Sequence, residues 1–173
     1  MMIIKEKLAG AMNEQIRSEF SASQQYVAIA VYFDGESLGE LASFFYRQAE
    51  EERMHGMKFV HFLLEAGAKP VMPDLTGFKN EFVGASDAVQ FALDQEIKVT
   101  NQINNLVTMA TAENDHISNN FLQWFVTEQV EEVDSMTTLL QTIKHAGSSL
   151  LLVEDFVRRN MQVAADAAGT VAE

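Results

Sequence analysis

Six polar side chains stand where a helical seam calls for apolar ones: Glu19, Glu52, His55, Glu96, Gln129 and Glu132. Read at alternating steps of three and four, the spacing of an inward-facing helix surface, the chain yields four seams. The first runs Leu8, Met12, Gln15, Glu19, Ala22, Tyr26, Ile29, Phe33, and the second Leu41, Phe45, Gln48, Glu52, His55, Phe59, Phe62, Ala66. The third runs Val89, Leu93, Glu96, Thr100, Ile103, Val107, Ala110, and the fourth Leu122, Phe125, Gln129, Glu132, Met136, Leu139, Ile143. Each seam is apolar at its ends and polar near its middle. The interruptions therefore meet in one layer, whichever way the helices point. That layer holds four carboxylates, one imidazole and one amide.

Four ionised carboxylates do not share an apolar layer without help. Desolvating each costs several kcal/mol, and like charges raise one another's pKa. Either some of them keep protons or cations sit among them. Two divalent cations balance four negative charges, and carboxylate oxygen with neutral imidazole suits Fe, Mn or Zn better than Ca, Mg or Cu(I). A lone Glu-x-x-His pair such as Glu52/His55 arises often by chance, and structural networks also gather such groups. Polar residues at matched depth on four helices favour a metal site, because bundle interiors are where such sites are built.

The elements that must position this layer are legible from punctuation. The prolines are two, Pro70 and Pro73, and long helices fit the rest of the chain. A first helix is predicted from about Ile4 to Phe33, stopping near Asp34-Gly35. A second starts at Ser37, where Ser37 and Glu40 fit a capping box, and ends near Ala66 with Gly67 as its left-handed C′ residue. A third runs from about Ser86 to Ala112, and a fourth, capped by Asn114-Asp115, to about Ala146 before Gly147. A short fifth helix is predicted from Leu150 to about Met161, followed by a tail, 162–173, small and polar enough to fray. Long helices, each about 40 Å, pack as a four-helix bundle. Short connections make the first and second helices antiparallel, and likewise the third and fourth. The segment between the second and third, about 18 residues, reaches about 60 Å when extended, so it crosses the full bundle length and leaves those two helices parallel. The expected architecture is all-α: one domain over residues 1–173, with the bundle at about 4–146.

Composition narrows the partners. The 25 acidic residues outnumber the 12 basic ones, for a net charge of −13. This speaks against nucleic acid and against an anionic membrane surface, and suits a cationic partner. With no cysteine, disulfides, thiolate zinc sites, iron–sulfur clusters and cysteine nucleophiles are excluded. The longest apolar run, Tyr26 to Phe33, is eight residues, well short of the roughly 20 that span a bilayer. The N-terminus lacks the pattern of a signal peptide. A cytoplasmic location is expected.

The segments NEQIRSEFSASQQY (13–26), AEEERMH (49–55), LDQEIKVTNQINNL (93–106) and FLQWFVTEQVEEV (121–133) resemble the four helices of non-haem bacterial ferritins, members of the ferritin-like di-iron family. The resemblance implies a ferritin-like bundle and a di-iron ferroxidase centre. Glu19, Glu52 and His55 would hold one iron, with Glu52 bridging. Glu52, Glu96 and Glu132 would hold the second, with Gln129 close by. A third iron site would use Glu51, Glu128, Glu131 and Glu132. Tyr26, seven residues after Glu19, matches a tyrosine that can supply an electron beside the centre; a core tyrosine with a satisfied hydroxyl is the equal alternative. Two departures from the general pattern matter. The fourth helix carries Gln129-x-x-Glu132 in place of a second Glu-x-x-His. Bacterioferritins bind haem through a Met directly after the bridging Glu, whereas this chain has Arg53 there and Met54 about 100° further round; no haem is expected. His61, His116, His145, Trp124 and the methionines read as packing or surface residues.

The run Leu150-Leu151-Leu152-Val153 is too apolar for a free surface, and the resemblance implies neighbouring copies around a symmetry axis in a 24-subunit shell. The implied function is iron storage, with Fe2+ oxidised to Fe3+ by O2 or peroxide and deposited as mineral inside the shell. A di-iron oxidase or oxygenase acting on an organic substrate is the alternative; it would need an apolar substrate pocket and a dimer instead of a shell. A purely structural bundle and a DNA-protecting mini-ferritin are the weaker competitors, the latter because basic tails are missing.

Overall fold

The structure, a computed structural model, describes residues 2–161. Five helices follow one another: α1 (Glu6–Gly35), α2 (Gly39–Glu65), α3 (Ala85–Ala112), α4 (His116–Ala146) and α5 (Leu150–Asn160). The tail expected to fray, 162–173, lies outside the described residues. Among those residues no helix is long and apolar enough to cross a membrane.

α1 packs along α2, and α3 along α4. The connection between α2 and α3 returns the length of the bundle along α1. Asn13 of α1 donates to the Lys69 carbonyl and accepts from the Val71 amide, at 3.2 and 2.7 Å. Further along, the Arg17 guanidinium donates to the Asp74 carbonyl at 2.9 Å. Further still, the Gln25 side chain makes a reciprocal pair with the Lys79 main chain at 2.8 and 2.9 Å. Contacts advancing from 13 to 25 on α1 while they advance from 69 to 79 on the connection show that the two run the same way. α2 and α3 are therefore parallel, as the sequence predicts.

The core divides into two apolar clusters. One gathers the end of α1, the starts of α2 and α3, the end of α4 and α5, around Phe33, Phe45, Val89, Leu139 and Val153. The other gathers the opposite ends, around Leu8, Phe59, Leu63, Ile103 and Phe125. Between them lies the polar layer. Every residue of the first and fourth predicted seams is buried. On α3 the inward face is turned by part of a step: Ala92, Val99 and Leu106 are buried, whereas Leu93, Thr100 and Val107 are half-buried. A straight helix drifts relative to a strict three-four alternation, which explains the offset.

Helix ends follow the predicted chemistry in three places and depart from it in one. α2 ends in a Schellman motif: Gly67 has φ 74, and the Ala68 amide donates to the Leu63 carbonyl at 2.8 Å. Asn114, with φ 53, plays the same part after α3, and the Asp115 carboxylate caps α4 by accepting from the Ser118 amide at 2.9 Å. The capping box of Ser37 and Glu40 does not form. Ser37 sits at φ 61 as the left-handed residue that terminates α1, its amide bonded to the Asp34 carbonyl at 3.0 Å. A residue in that conformation cannot also take the extended backbone of an N-cap. α2 starts two residues later and takes its cap from far away. Both carboxylate oxygens of Glu154 on α5 accept from the Glu40 and Leu41 amides, each at 2.9 Å. These are orphan donors of the first turn, where a negative charge also meets the positive end of the helix dipole.

This exchange of caps has a measurable consequence. Glu154→Ala should destabilise the metal-free protein by about 1–2 kcal/mol, the usual cost of a lost cap. Ser37→Ala should cost less than about 0.5 kcal/mol, within the range of an uninvolved surface change. Thermal unfolding of the two variants checks this; equal losses would contradict the assignment.

Candidate metal centre

The polar layer comes together as the seams require. Glu19, Glu52, His55, Glu96, Gln129 and Glu132 are each no more than 5% exposed. Ligand-capable atoms of Glu19, Glu52 and His55 lie within 4.8 Å of one another, and so do those of Glu52, Glu96 and Glu132. Glu52 belongs to both groups. It reaches both because it sits mid-way along α2, facing α1 on one side and the α3–α4 pair on the other. A third group joins His55, Glu128 and Glu132 within the same limit. Beside His55, Gly56 leaves room for the Phe20 ring of α1, which a Cβ would meet at 3.0 Å.

The surrounding hydrogen bonds orient the carboxylates. Gln15 donates to Glu19 Oε1 at 2.9 Å. The Tyr26 hydroxyl donates to Glu96 Oε1, and the Gln129 amide approaches Glu96 Oε2 at 3.5 Å. His55 Nδ1 lies 3.6 Å from Glu52 Oε2, and its Nε2 lies 3.7 Å from Glu128 Oε1. Within the layer, two carboxylate oxygens, Glu19 Oε2 and Glu52 Oε2, are buried without a hydrogen-bond partner. Buried acceptors of this kind are costly unless something positive meets them. Carboxylate oxygens with one imidazole nitrogen, gathered around those two atoms, fit iron.

The electrostatics say the same. Burial, then the facing carboxylates, holds Glu52 well above the usual carboxylate range, and Glu132 likewise. Burial pushes Glu96 up to about 7, against the opposing hydrogen bond from Tyr26. Glu51 is raised chiefly by burial. Burial pulls His55 down, but the hydrogen bond to Glu128 and the carboxylates of Glu19 and Glu132 outweigh it, leaving it raised. The Tyr26 phenol is raised well above its ordinary value by burial and then by Glu96. Without cations, Glu52, Glu96 and Glu132 relieve the crowding of charge by holding protons.

Glu51, Glu128 and Glu131 sit apart from the layer itself. They line a cleft of about 270 Å3 between α2, α4 and α5, together with Glu132 and Arg47. Glu128 is the member that reaches the buried groups, while Glu131 is exposed on the cleft wall. Trp124 lies at the other side of His55, ring to ring at 5.4 Å, with the Lys58 ammonium 4.1 Å above its face.

The sequence reading did not single out the residues that hold the ligands in place. Gln15, four residues before Glu19, and Gln48, which donates to Glu51 Oε2, are two. Thr100, which bonds Gln129 at 2.8 Å, is another. All three stand in the seams, one helical turn from an acidic residue, and that spacing was the available signal.

Comparison with known proteins agrees with this geometry. Residues 9–146 match the family model of the ferritin-like domain. The chain is 49% identical to Ferritin BfrB of Mycolicibacterium smegmatis, covering 91% of this chain and 87% of that one. It is 36% identical to the bacterial non-heme ferritin of Staphylococcus epidermidis, covering 84% and 87%. The open pore ferritin of the archaeon Archaeoglobus fulgidus superposes with a TM-score of 0.88 at 32% identity, covering 92% of this chain and 99% of that one.

Proposed function

The chain belongs to the ferritin family, and on that premise we propose that it stores iron and oxidises it as a ferroxidase, with Fe2+ as substrate at the mid-bundle layer. The observation that carries this reading is the sharing of buried Glu52 by two ligand groups. Glu19 and His55 complete one iron site; Glu96 and Glu132 complete the other. Glu52 bridges them. Glu128, with Glu51 and Glu131 in the adjoining acidic cleft, forms the third iron site, which shares Glu132 with the centre.

Each part has a definite task. Glu52, Glu96 and Glu132 release the protons they hold as two ferrous ions enter, and the four negative charges of the layer then balance +4. Oxidation of the pair by O2 or peroxide raises this to +6, so oxide or hydroxide from water must join the ions. In the oxidation step itself the work done by the protein is templating and charge balance, with no proton transfer by a side chain. Tyr26, whose hydroxyl bonds Glu96, would supply a further electron to the oxidant. Gln129 is neutral where the fourth helix could have carried an anion, so the ferric product is held less firmly and moves on to the mineral. The chain is expected to act in the cytoplasm.

Assembly follows from α5. Leu151 and Leu152 are 79% and 65% exposed, a patch that neighbouring copies around a symmetry axis would cover. We expect a homo-oligomeric shell of twenty-four chains of 19.3 kDa. Aerobic addition of Fe2+ to the purified protein tests the whole reading. Rapid oxidation, a shell-sized particle in gel filtration and electron-dense cores in electron microscopy are expected. A small, non-oxidising, core-free particle would overturn it.

A further inference from the structure

Thr100 lies on α3, one turn after Glu96, half-buried beside the second iron site. Its hydroxyl oxygen is 2.8 Å from two acceptors, the Glu96 main-chain carbonyl and Gln129 Oε1. A threonine hydroxyl has one proton to give. The Glu96 carbonyl already accepts the ordinary helical bond from four residues on. Gln129 is 4% exposed, so its amide oxygen depends on protein donors, and Thr100 is the one at hand. On the other end of the same amide, Nε2 faces Glu96 Oε2 at 3.5 Å. The reverse orientation would set two acceptors against each other. Glu96 and Thr100 together thus determine which end of the amide looks inward.

We infer that Thr100 is a positioning residue that keeps the Gln129 carbonyl oxygen turned away from the iron ions and its amide nitrogen turned toward Glu96. Gln129 is then a neighbour of the second iron and not a ligand to it. The inference rests on the reading of the layer as a ferroxidase centre. Its consequence is kinetic: a metal at that site has one oxygen ligand fewer than the residue types allow, and leaves sooner. Removing the hydroxyl strips Oε1 of its donor. A buried carbonyl oxygen without a donor costs free energy, and a cation beside it offers the replacement. The amide then reverses and adds a ligand.

The test uses the assembled protein with Zn2+, which does not change oxidation state, and Co2+, whose visible spectrum reports coordination number. Thr100→Val should release Zn2+ about tenfold more slowly, in line with the size of effects of residues that orient ligands. The Co2+ absorption should weaken as coordination number rises. Thr100→Ser should restore both values. Thr100→Ala removes the hydroxyl with less bulk and serves the same test if the valine variant does not fold. Unchanged release and spectrum in the variants lacking the hydroxyl would overturn the inference, as would failure of Thr100→Ser to restore them. Faster release from those variants would overturn it too. If the wild-type protein binds neither metal at this layer, it is the ferroxidase reading that fails.

Discussion

Glu52→Gln should abolish rapid Fe2+ oxidation while making the metal-free protein more stable. The first half follows from sharing: Glu52 is common to both buried ligand groups, so its loss damages two sites at once. Residues that only orient ligands already cost 10–100-fold when removed, so a loss of roughly 100-fold or more is expected for a bridging ligand. The second half follows from burial. Glu52 is 1% exposed, and one of its oxygens lacks any hydrogen-bond partner. In the folded metal-free state it holds a proton well above the usual carboxylate range, whereas the unfolded chain gives that proton up. Folding therefore carries a penalty at neutral pH, and a glutamine of the same shape does not. A gain of about 1–3 kcal/mol at pH 7 is expected, of the size seen when buried charges are replaced, with little gain near pH 4.5. Stopped-flow oxidation and thermal unfolding of the same preparation decide the matter. A variant that is inactive and also less stable at pH 7 would argue for a structural role; an active one would remove the ferroxidase assignment.

Metal-free protein should lose stability as pH rises from 5 to 8, and divalent metal should reverse the trend. Glu96 gives the magnitude. Its ordinary value is 4.5 and burial raises it to about 7 in the folded state. A raised carboxylate binds its proton more tightly when folded, so its contribution is fully present below 4.5 and is lost as pH climbs to about 7. That interval corresponds to about 3 kcal/mol. Glu52 and Glu132 shift the same way, and the raised His55 likewise favours the folded state more at low pH. Bound cations replace those protons, and protons compete with them. The stabilisation by Zn2+ should therefore be small at pH 5 and largest at pH 8. Melting temperatures with and without metal at each pH measure it. Metal-free stability that climbs across this window would contradict the proton-holding layer.

The same charges change the meaning of the composition. A net charge of −13 counts Glu19, Glu52, Glu96 and Glu132 as free anions. In the folded chain all four are interior groups, and Glu52, Glu96 and Glu132 hold their protons above the usual carboxylate range, so the bare count overstates the charge of the folded chain. The outward acidity that remains is gathered partly in the cleft of Glu51, Glu128 and Glu131.

The amino-acid pattern by itself determined the bundle, the parallel pairing of α2 and α3, and the depth of the site. Helical periodicity is a local property, and a carboxylate in an apolar seam is visible wherever its helix lies. Gly67, Asn114 and Asp115 marked helix ends for the same reason: their effects act within one turn. Three things lie beyond the reach of helical periodicity, and the first and last of them were decided only by tertiary structure. The cap of α2 comes from Glu154, 113 residues beyond Leu41 in sequence, because Ser37 was already committed to ending α1. The sharing of Glu52 between two ligand groups, expected from the family resemblance, depends on where four helices meet, a relation between elements that no single seam contains. The direction of the Gln129 amide depends on Thr100 and Glu96 across the α3–α4 contact. Residue type and spacing say which groups are buried together; distances between chain-distant atoms say which of them touch, and hydrogen bonds are short enough that only the folded packing sets them.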